Sequence, residues 1–252
     1  MKRNQVSALL SAGALLVVLV AVLALMASQP SRADEGTLVK FPTFPPTATI
    51  GQAPPDTQAL GGTRLFNDAF ASSGSLSAWS VIDSKDILPE DASNWIVEEG
   101  QLIQDRSGFA RSPSERETML VTGKTNWTDY VVSAKVYDVQ NATFGLVARR
   151  QGDSYYRYRV IADVYEATPK HVLEKVVNGV ATPLATLDGP GYAQRKWHSV
   201  SLRVVGSKIE ARLDGALVLQ ATDSTLTSGQ AGVYTRAFGG IRFDDVAVAQ
   251  PQ

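Results

Sequence analysis

From Arg64 onward, apolar and polar residues alternate in short bursts, separated by Gly, Asn, Asp or Pro and recurring roughly every ten residues. Alternation with a period of two places one set of side chains on each face of an extended strand. No stretch carries apolar residues at i, i+3, i+4 and i+7 over three turns, so the pattern predicts strands and no long helix. Two hairpins are written out in full. HVLEKVV and VATPLATL flank Asn178-Gly179, and KIEARL and ALVLQAT flank Asp214-Gly215, pairs that tolerate the positive φ of a two-residue turn. A turn at Gly206-Ser207 adds a strand from Trp197, so that Val200, Leu202, Val204, Ile209, Ala211 and Leu213 share one face. Arg203, Lys208, Glu210 and Arg212 share the other and meet water. Further strands are expected near 64–70, 94–98, 101–104, 117–122, 130–139, 143–150, 155–163, 231–236 and 241–248. Short antiparallel strands in this number, without helices, predict an all-β, two-sheet jelly-roll sandwich over 63–250.

The N-terminal part has a different pattern. Lys2 and Arg3 precede an uncharged run from Val6 to Ala27, and cationic residues on the leading edge hold that edge in the cytoplasm. Residues 1–33 therefore read as a signal peptide or a signal anchor. The length of the run fits a membrane-spanning helix, whereas Ser31-Arg32-Ala33 offers small residues where signal peptidase cuts. Either way the rest of the chain is placed outside the membrane, tethered to the cell or released. Residues 34–62 include FPTFPPTATIGQAPPDTQALGG, whose prolines favour an extended, semi-rigid linker.

Composition narrows the chemistry. A formal net charge of -1 gives no field for nucleic-acid binding. The absence of cysteine removes disulfides, thiolate nucleophiles and zinc-thiolate sites. Two histidines, His171 and His198, leave little material for a histidine-rich metal site.

The order LFNDAF, Trp79, NWIVEEGQLIQ, NWTDYVVSAKV, FGLVARRQGDSYYRYRV, KWHSVSLRVVGSKIEARLDGALV and GIRFDDVAVA resembles the concanavalin A-like lectin/glucanase superfamily. The likeness is to its laminin-G-like jelly rolls, including the keto-disaccharide hydrolase-type domains. The resemblance implies a curved sheet whose concave side often binds sugars, and in some members a structural calcium near the paired termini. The carboxylate strand of the glucanase branch, Glu-x-Asp-x-x-Glu or Glu-x-Asp-x-Glu, does not occur here.

Strand parity supplies a candidate binding face. Val132, Ala134 and Val136, then Phe144, Leu146 and Ala148, then Tyr156, Tyr158 and Val160 point inward. If these strands are neighbours, Lys135, Tyr137, Arg149, Tyr155, Arg157 and Arg159 gather on one outer face. Arginine forks and tyrosine rings suit a sugar, including an acidic one, while alternating long cations also solvate an ordinary sheet face. Asp68 in the first strand and Asp244-Asp245 in the last are the candidate calcium ligands, with hydrogen bonding to turn amides as the other reading of a buried aspartate.

The function expected is a non-catalytic carbohydrate-binding or adhesion module. The alternatives are a glycoside-processing enzyme using Asp163, Glu166 and His171, or a structural or sensory ectodomain that binds a protein.

Overall fold

A computed structural model describes residues 62–85, 87–89, 92–106, 117–164, 167–237 and 239–252. The N-terminal apolar run, most of the proline-rich stretch and Glu166 lie outside them. Among the described residues no helix is long and apolar enough to cross a membrane.

The chain forms two antiparallel sheets packed face to face as a jelly-roll sandwich, with one short 3₁₀ turn at Ser73–Ala78. The strands are β1 (Arg64–Asp68), β2 (Ser80–Asp83), β3 (Asn94–Glu98), β4 (Gln101–Arg106), β5 (Glu117–Thr122), β6 (Tyr130–Tyr137), β7 (Thr143–Gln151) and β8 (Ser154–Ile161). They continue as β9 (His171–Val177), β10 (Val180–Leu187), β11 (Trp197–Val205), β12 (Lys208–Leu213), β13 (Ala216–Thr222), β14 (Gln230–Arg236) and β15 (Ile241–Ala249). One sheet runs β13-β12-β11-β6-β15-β4-β3, with β1 added on β15, and the other runs β10-β9-β8-β7-β14-β5-β2.

Local chemistry explains the hairpins. Asn178 and Gly179 sit at φ 51° and 83°, and Asp214 and Gly215 at 49° and 82°, the paired positive values of a tight turn that follows the strand twist. The expected apolar faces are the core: Val132, Val136, Phe144, Leu146, Tyr156, Tyr158, Val200, Leu202 and Ile209 are fully buried in one cluster. β2 carries little alternation and was not expected from the sequence. It is held at the sheet edge by pairing with β5.

One expected neighbour relation fails. β6 and β7 are not a hairpin, because the chain crosses from one sheet to the other between them. The crossover is fixed by Asp138, whose carboxylate accepts from the amides of Gln140 at 3.1 Å and Ala142 at 3.2 Å and from the hydroxyl of Tyr192 at 2.8 Å. β6 pairs instead with β11 and β15. A second irregularity shapes β15, where Asp245 at φ 47° marks a bulge. The strand's first half pairs with β4 and its second half with β1.

Candidate functional site

Every second residue of β5, β14, β7, β8 and β9 lines the outer face of the seven-stranded sheet. Pairing sets Arg157 between Val147 and Glu174, and Arg159 between Gly145 and Val172. Tyr234 stands between Gly145 and Met119. Gly145 marks a close approach of two strands: a Cβ there would stand 1.8 Å from the carbonyl oxygen of Tyr158.

Arg157 is the centre of a charged network on this face. Its Nε donates to Glu174 Oε1 at 2.7 Å and a terminal nitrogen donates to Glu117 Oε2 at 2.6 Å. Arg159 Nε reaches the same Glu174 oxygen at 3.1 Å, and Tyr234 donates its hydroxyl to Glu117 Oε1 at 2.8 Å. The Tyr234 ring lies 4.4 Å from the Arg157 guanidinium carbon and that of Tyr155 lies 5.9 Å away, both within cation-π range. Arg157 is 5% exposed, Glu174 2% and Tyr234 0%. Burial opposes the charge of Arg157, but Tyr234, Glu117, Glu174 and Tyr155 outweigh it and hold the guanidinium well above its ordinary value. Burial pushes the Tyr234 phenol up as well, so it stays protonated and donates.

A cleft of about 360 Å³ opens beside the network. Ile82 to Lys85 form one wall, and the β7–β8 and β9–β10 turns form the others. Glu117, Met119, Arg150 and Tyr155 also line it. Lys85 Nζ meets Asp153 at 2.7 Å, which ties the end of β2 to the β7–β8 turn. The hydrogen bond and charge of Lys85 hold Asp153 below the usual carboxylate range.

The six residues expected to form one patch divide into three groups. Tyr155, Arg157 and Arg159 share the outer face as expected. Lys135 and Tyr137 lie on the other sheet, because β6 belongs there: Lys135 pairs with Asp245 at 3.3 Å and Tyr137 packs its ring 5.4 Å from that of Trp197. Arg149 leaves the face through a bulge. It adopts φ 51°, the register of β7 shifts between Ala148 and Gln151, and its side chain is 2% exposed. The guanidinium donates to the carbonyls of Thr128 at 2.9 Å, Gly206 at 2.8 Å and Leu226 at 2.9 Å, and to the carboxylate of Asp129 at 3.1 Å. Arg149 thus clamps loops from both sheets, and Arg150 takes the place at the cleft.

Asp68, half-buried, accepts from the amide of Phe70 at 2.8 Å and the indole of Trp79 at 2.9 Å. Burial, with the charges of Asp245 and Asp68, raises Asp244 to about 6 against the pull of Lys135. Among the described residues no group of three or more His, Asp or Glu is placed to hold a metal ion.

Asp163 accepts from the amide of Gly191 at 2.6 Å, and His171 lies between the Tyr158 hydroxyl at 2.8 Å and the Pro190 carbonyl. Both are occupied by structural hydrogen bonds. Trp79 and Trp95 are core residues.

Sequence reasoning missed Glu117, Glu174, Tyr234 and Arg150. Glu174 left a trace as a carboxylate between two valines of like parity in β9, whereas the others arrive through non-local pairing and a bulge.

Residues 109–251 match the family model described as galactocerebrosidase, C-terminal lectin domain. No curated protein matches the chain. Among solved structures, a carbohydrate-binding module (CBM66) from Bacillus subtilis is 17% identical over 69% of this chain and 96% of its own, with a TM-score of 0.53. A Bacillus subtilis protein of unknown function with a galectin-like fold is 14% identical over 75% of this chain and 96% of its own, with the same TM-score of 0.53. A non-specific endo-β-1,3(4)-glucanase of family GH16 is 12% identical over 79% of this chain and 93% of its own, also at a TM-score of 0.53. These likenesses place the fold among concanavalin A-like and galectin-like jelly rolls.

Proposed function

The chain belongs to the family of galactocerebrosidase C-terminal lectin domains, and from that premise we propose that it binds carbohydrate without catalysis, through the outer face of the seven-stranded sheet and its cleft. The matched segment spans the four strands, β5, β8, β9 and β14, that carry the Arg157 network. A binding role draws support from the carbohydrate-binding module that shares the fold.

The observation that carries the reading is the state of the carboxylates. A glycosidase needs one carboxyl group as acid and a second as base or nucleophile, facing each other across the sugar. Glu117 and Glu174 instead flank the Arg157 guanidinium, with Arg159 as a second cation on Glu174, so each carboxylate is held in an ion pair and fixed in orientation. Beside them the cleft offers the exposed Val180, the edges of Ile82 and of the largely buried Tyr155 and Met119, and polar groups at two turns. A sugar has the same division, with an apolar ring face and a rim of hydroxyls. Export belongs to the same reading: the apolar run from Val6 to Ala27 would deliver the domain outside the membrane, anchored or released.

A glycan array on the full chain tests it. Wild type should bind, and Tyr155→Ala should weaken binding by about tenfold, the scale of one lost ring contact of roughly 1.4 kcal/mol, with the fold intact by circular dichroism. Binding that is indifferent to Tyr155→Ala would remove this face from consideration.

A further inference from the structure

Most charges of the cleft and its face are already paired: Arg157 with Glu117 and Glu174, Arg159 with Glu174, and Lys85 with Asp153. The one lining carboxylate outside these pairs, Asp83, accepts from the amide and the hydroxyl of Ser93 at 2.9 and 2.6 Å. Two arginines of the face form no ion pair among the described residues. Arg236 stands in register with Glu117 at the end of β14. Arg150 is carried to the cleft by the β7 bulge, and there a terminal nitrogen donates to Gln230 Oε1 at 3.2 Å. The Gln230 amide is fixed in turn by donating to the carbonyl of Gly123 at 3.2 Å.

Arg150 has lost water without gaining an anion. It is half-buried, and its Nε is buried with no hydrogen-bond partner. Burial pulls its guanidinium below the ordinary value, against the charges of Asp153 and Tyr155. Burial opposes the charge of Arg157 too, yet Tyr234, Glu117 and Glu174 hold that guanidinium well above its ordinary value. The difference between the two arginines is a carboxylate in contact, which Arg157 has and Arg150 lacks. An oxyanion entering the cleft would supply it, because the terminal N–H groups of a guanidinium can give one acceptor group a pair of charge-assisted hydrogen bonds. We infer that the cleft takes an acidic glycan, with a carboxylate or sulfate of the sugar held by Arg150 and the adjoining sugar passing the exposed Val180 and the β9–β10 turn. This inference rests on the carbohydrate-binding reading of the same site and narrows its ligand.

Titration calorimetry of the full chain with matched oligosaccharides tests the assignment. The probes are a uronate oligomer, the neutral hexose oligomer of the same linkage and the sulfated form of that hexose oligomer, each at low and moderate salt. At least one anionic oligomer should bind about tenfold tighter than the neutral one and weaken as salt is raised, and which of the two does so identifies the oxyanion. Arg150→Gln should remove that advantage and leave neutral binding within about twofold of wild type. Arg150→Lys, which keeps the charge and loses the fork, should restore only part of it. Both variants should melt close to wild type, since Arg150 holds no ion pair among the described residues. Asp153→Asn, which takes a carboxylate from beside Arg150 and releases Lys85, should raise the affinity for the anionic oligomer by about threefold, so a gain is read as well as a loss. Neutral binding as tight as anionic binding, or anionic binding indifferent to Arg150→Gln, would overturn the acidic assignment and leave the binding face in place. If no oligomer of any class bound, both the assignment and the carbohydrate reading would fall.

Discussion

Arg149 gives the sharpest test of how the structure reassigns residues. Its guanidinium satisfies three main-chain carbonyls and the Asp129 carboxylate, at 2.8 to 3.1 Å, from a side chain that is 2% exposed. Removing the donors strands the three carbonyls at about 1 to 3 kcal/mol each where water cannot reach, while the half-exposed Asp129 carboxylate is resolvated and adds little. Arg149→Ala should therefore lose about 4 kcal/mol. With a urea dependence of about 2 kcal/mol per molar, the unfolding midpoint followed by tryptophan fluorescence should fall by about 2 M. A second variant isolates the backbone. Arg149 sits at φ 51°, where a side chain costs about 1 to 2 kcal/mol and glycine costs nothing. Arg149→Gly should thus be more stable than Arg149→Ala by about 1 kcal/mol, the reverse of their usual order in a strand. A loss below about 1 kcal/mol for Arg149→Ala, or an alanine variant more stable than the glycine one, would refute the clamp.

Other expectations follow from the same geometry. Asp244 is displaced from 3.8 to about 6, so the folded chain holds its proton more tightly than the unfolded one, and the associated stability is lost as pH rises from about 4 to about 6. Asp244→Asn should therefore stabilise the protein at pH 7.5, by up to about 3 kcal/mol, and have little effect near pH 4 in parallel thermal melts. His171 goes the other way: burial lowers it from 6.5 against the pull of the Pro190 carbonyl. The Tyr158 hydroxyl donates to Nδ1, so neutral His171 donates from Nε2 to Pro190. Its contribution is complete above 6.5 and is lost as pH falls below it, and proton-detected titration should show the ring with a midpoint below 6.5. Glu174→Ala, which leaves Arg157 and Arg159 without their shared carboxylate, should cost about 3 kcal/mol in urea unfolding. The double variant Arg157→Met, Glu174→Leu should cost less than that single change, and an equal or greater loss would count against a network held by mutual neutralisation.

Period-two alternation made most of the strands legible, because each sheet has one face buried against the other and a residue out of phase would place an apolar group in water. The hairpins at Asn178-Gly179 and Asp214-Gly215 were equally legible, since two-residue turns need positive φ and few residue pairs supply it. The partners of each strand were not. Nothing in the five residues between β6 and β7 distinguishes a hairpin from a crossover until Asp138 is seen to tie Gln140, Ala142 and the distant Tyr192. The position of Lys135 and Tyr137 on the second sheet follows from that alone.

The sequence by itself determined the fold class, the buried faces, the turns, and the presence of Tyr155, Arg157 and Arg159 on one side of one strand. These are local properties, decided by backbone conformation and side-chain parity within a few residues. The tertiary structure decided which charges are spent. Glu117 lies 40 residues from Arg157 and Tyr234 lies 117 residues from Glu117, yet sheet pairing brings them within hydrogen-bonding distance. One extra residue in β7 turns Arg149 into the rim and sends Arg150 to the cleft. An ion pair depends on the distance between groups in space, which strand order and bulges set and which no local pattern encodes.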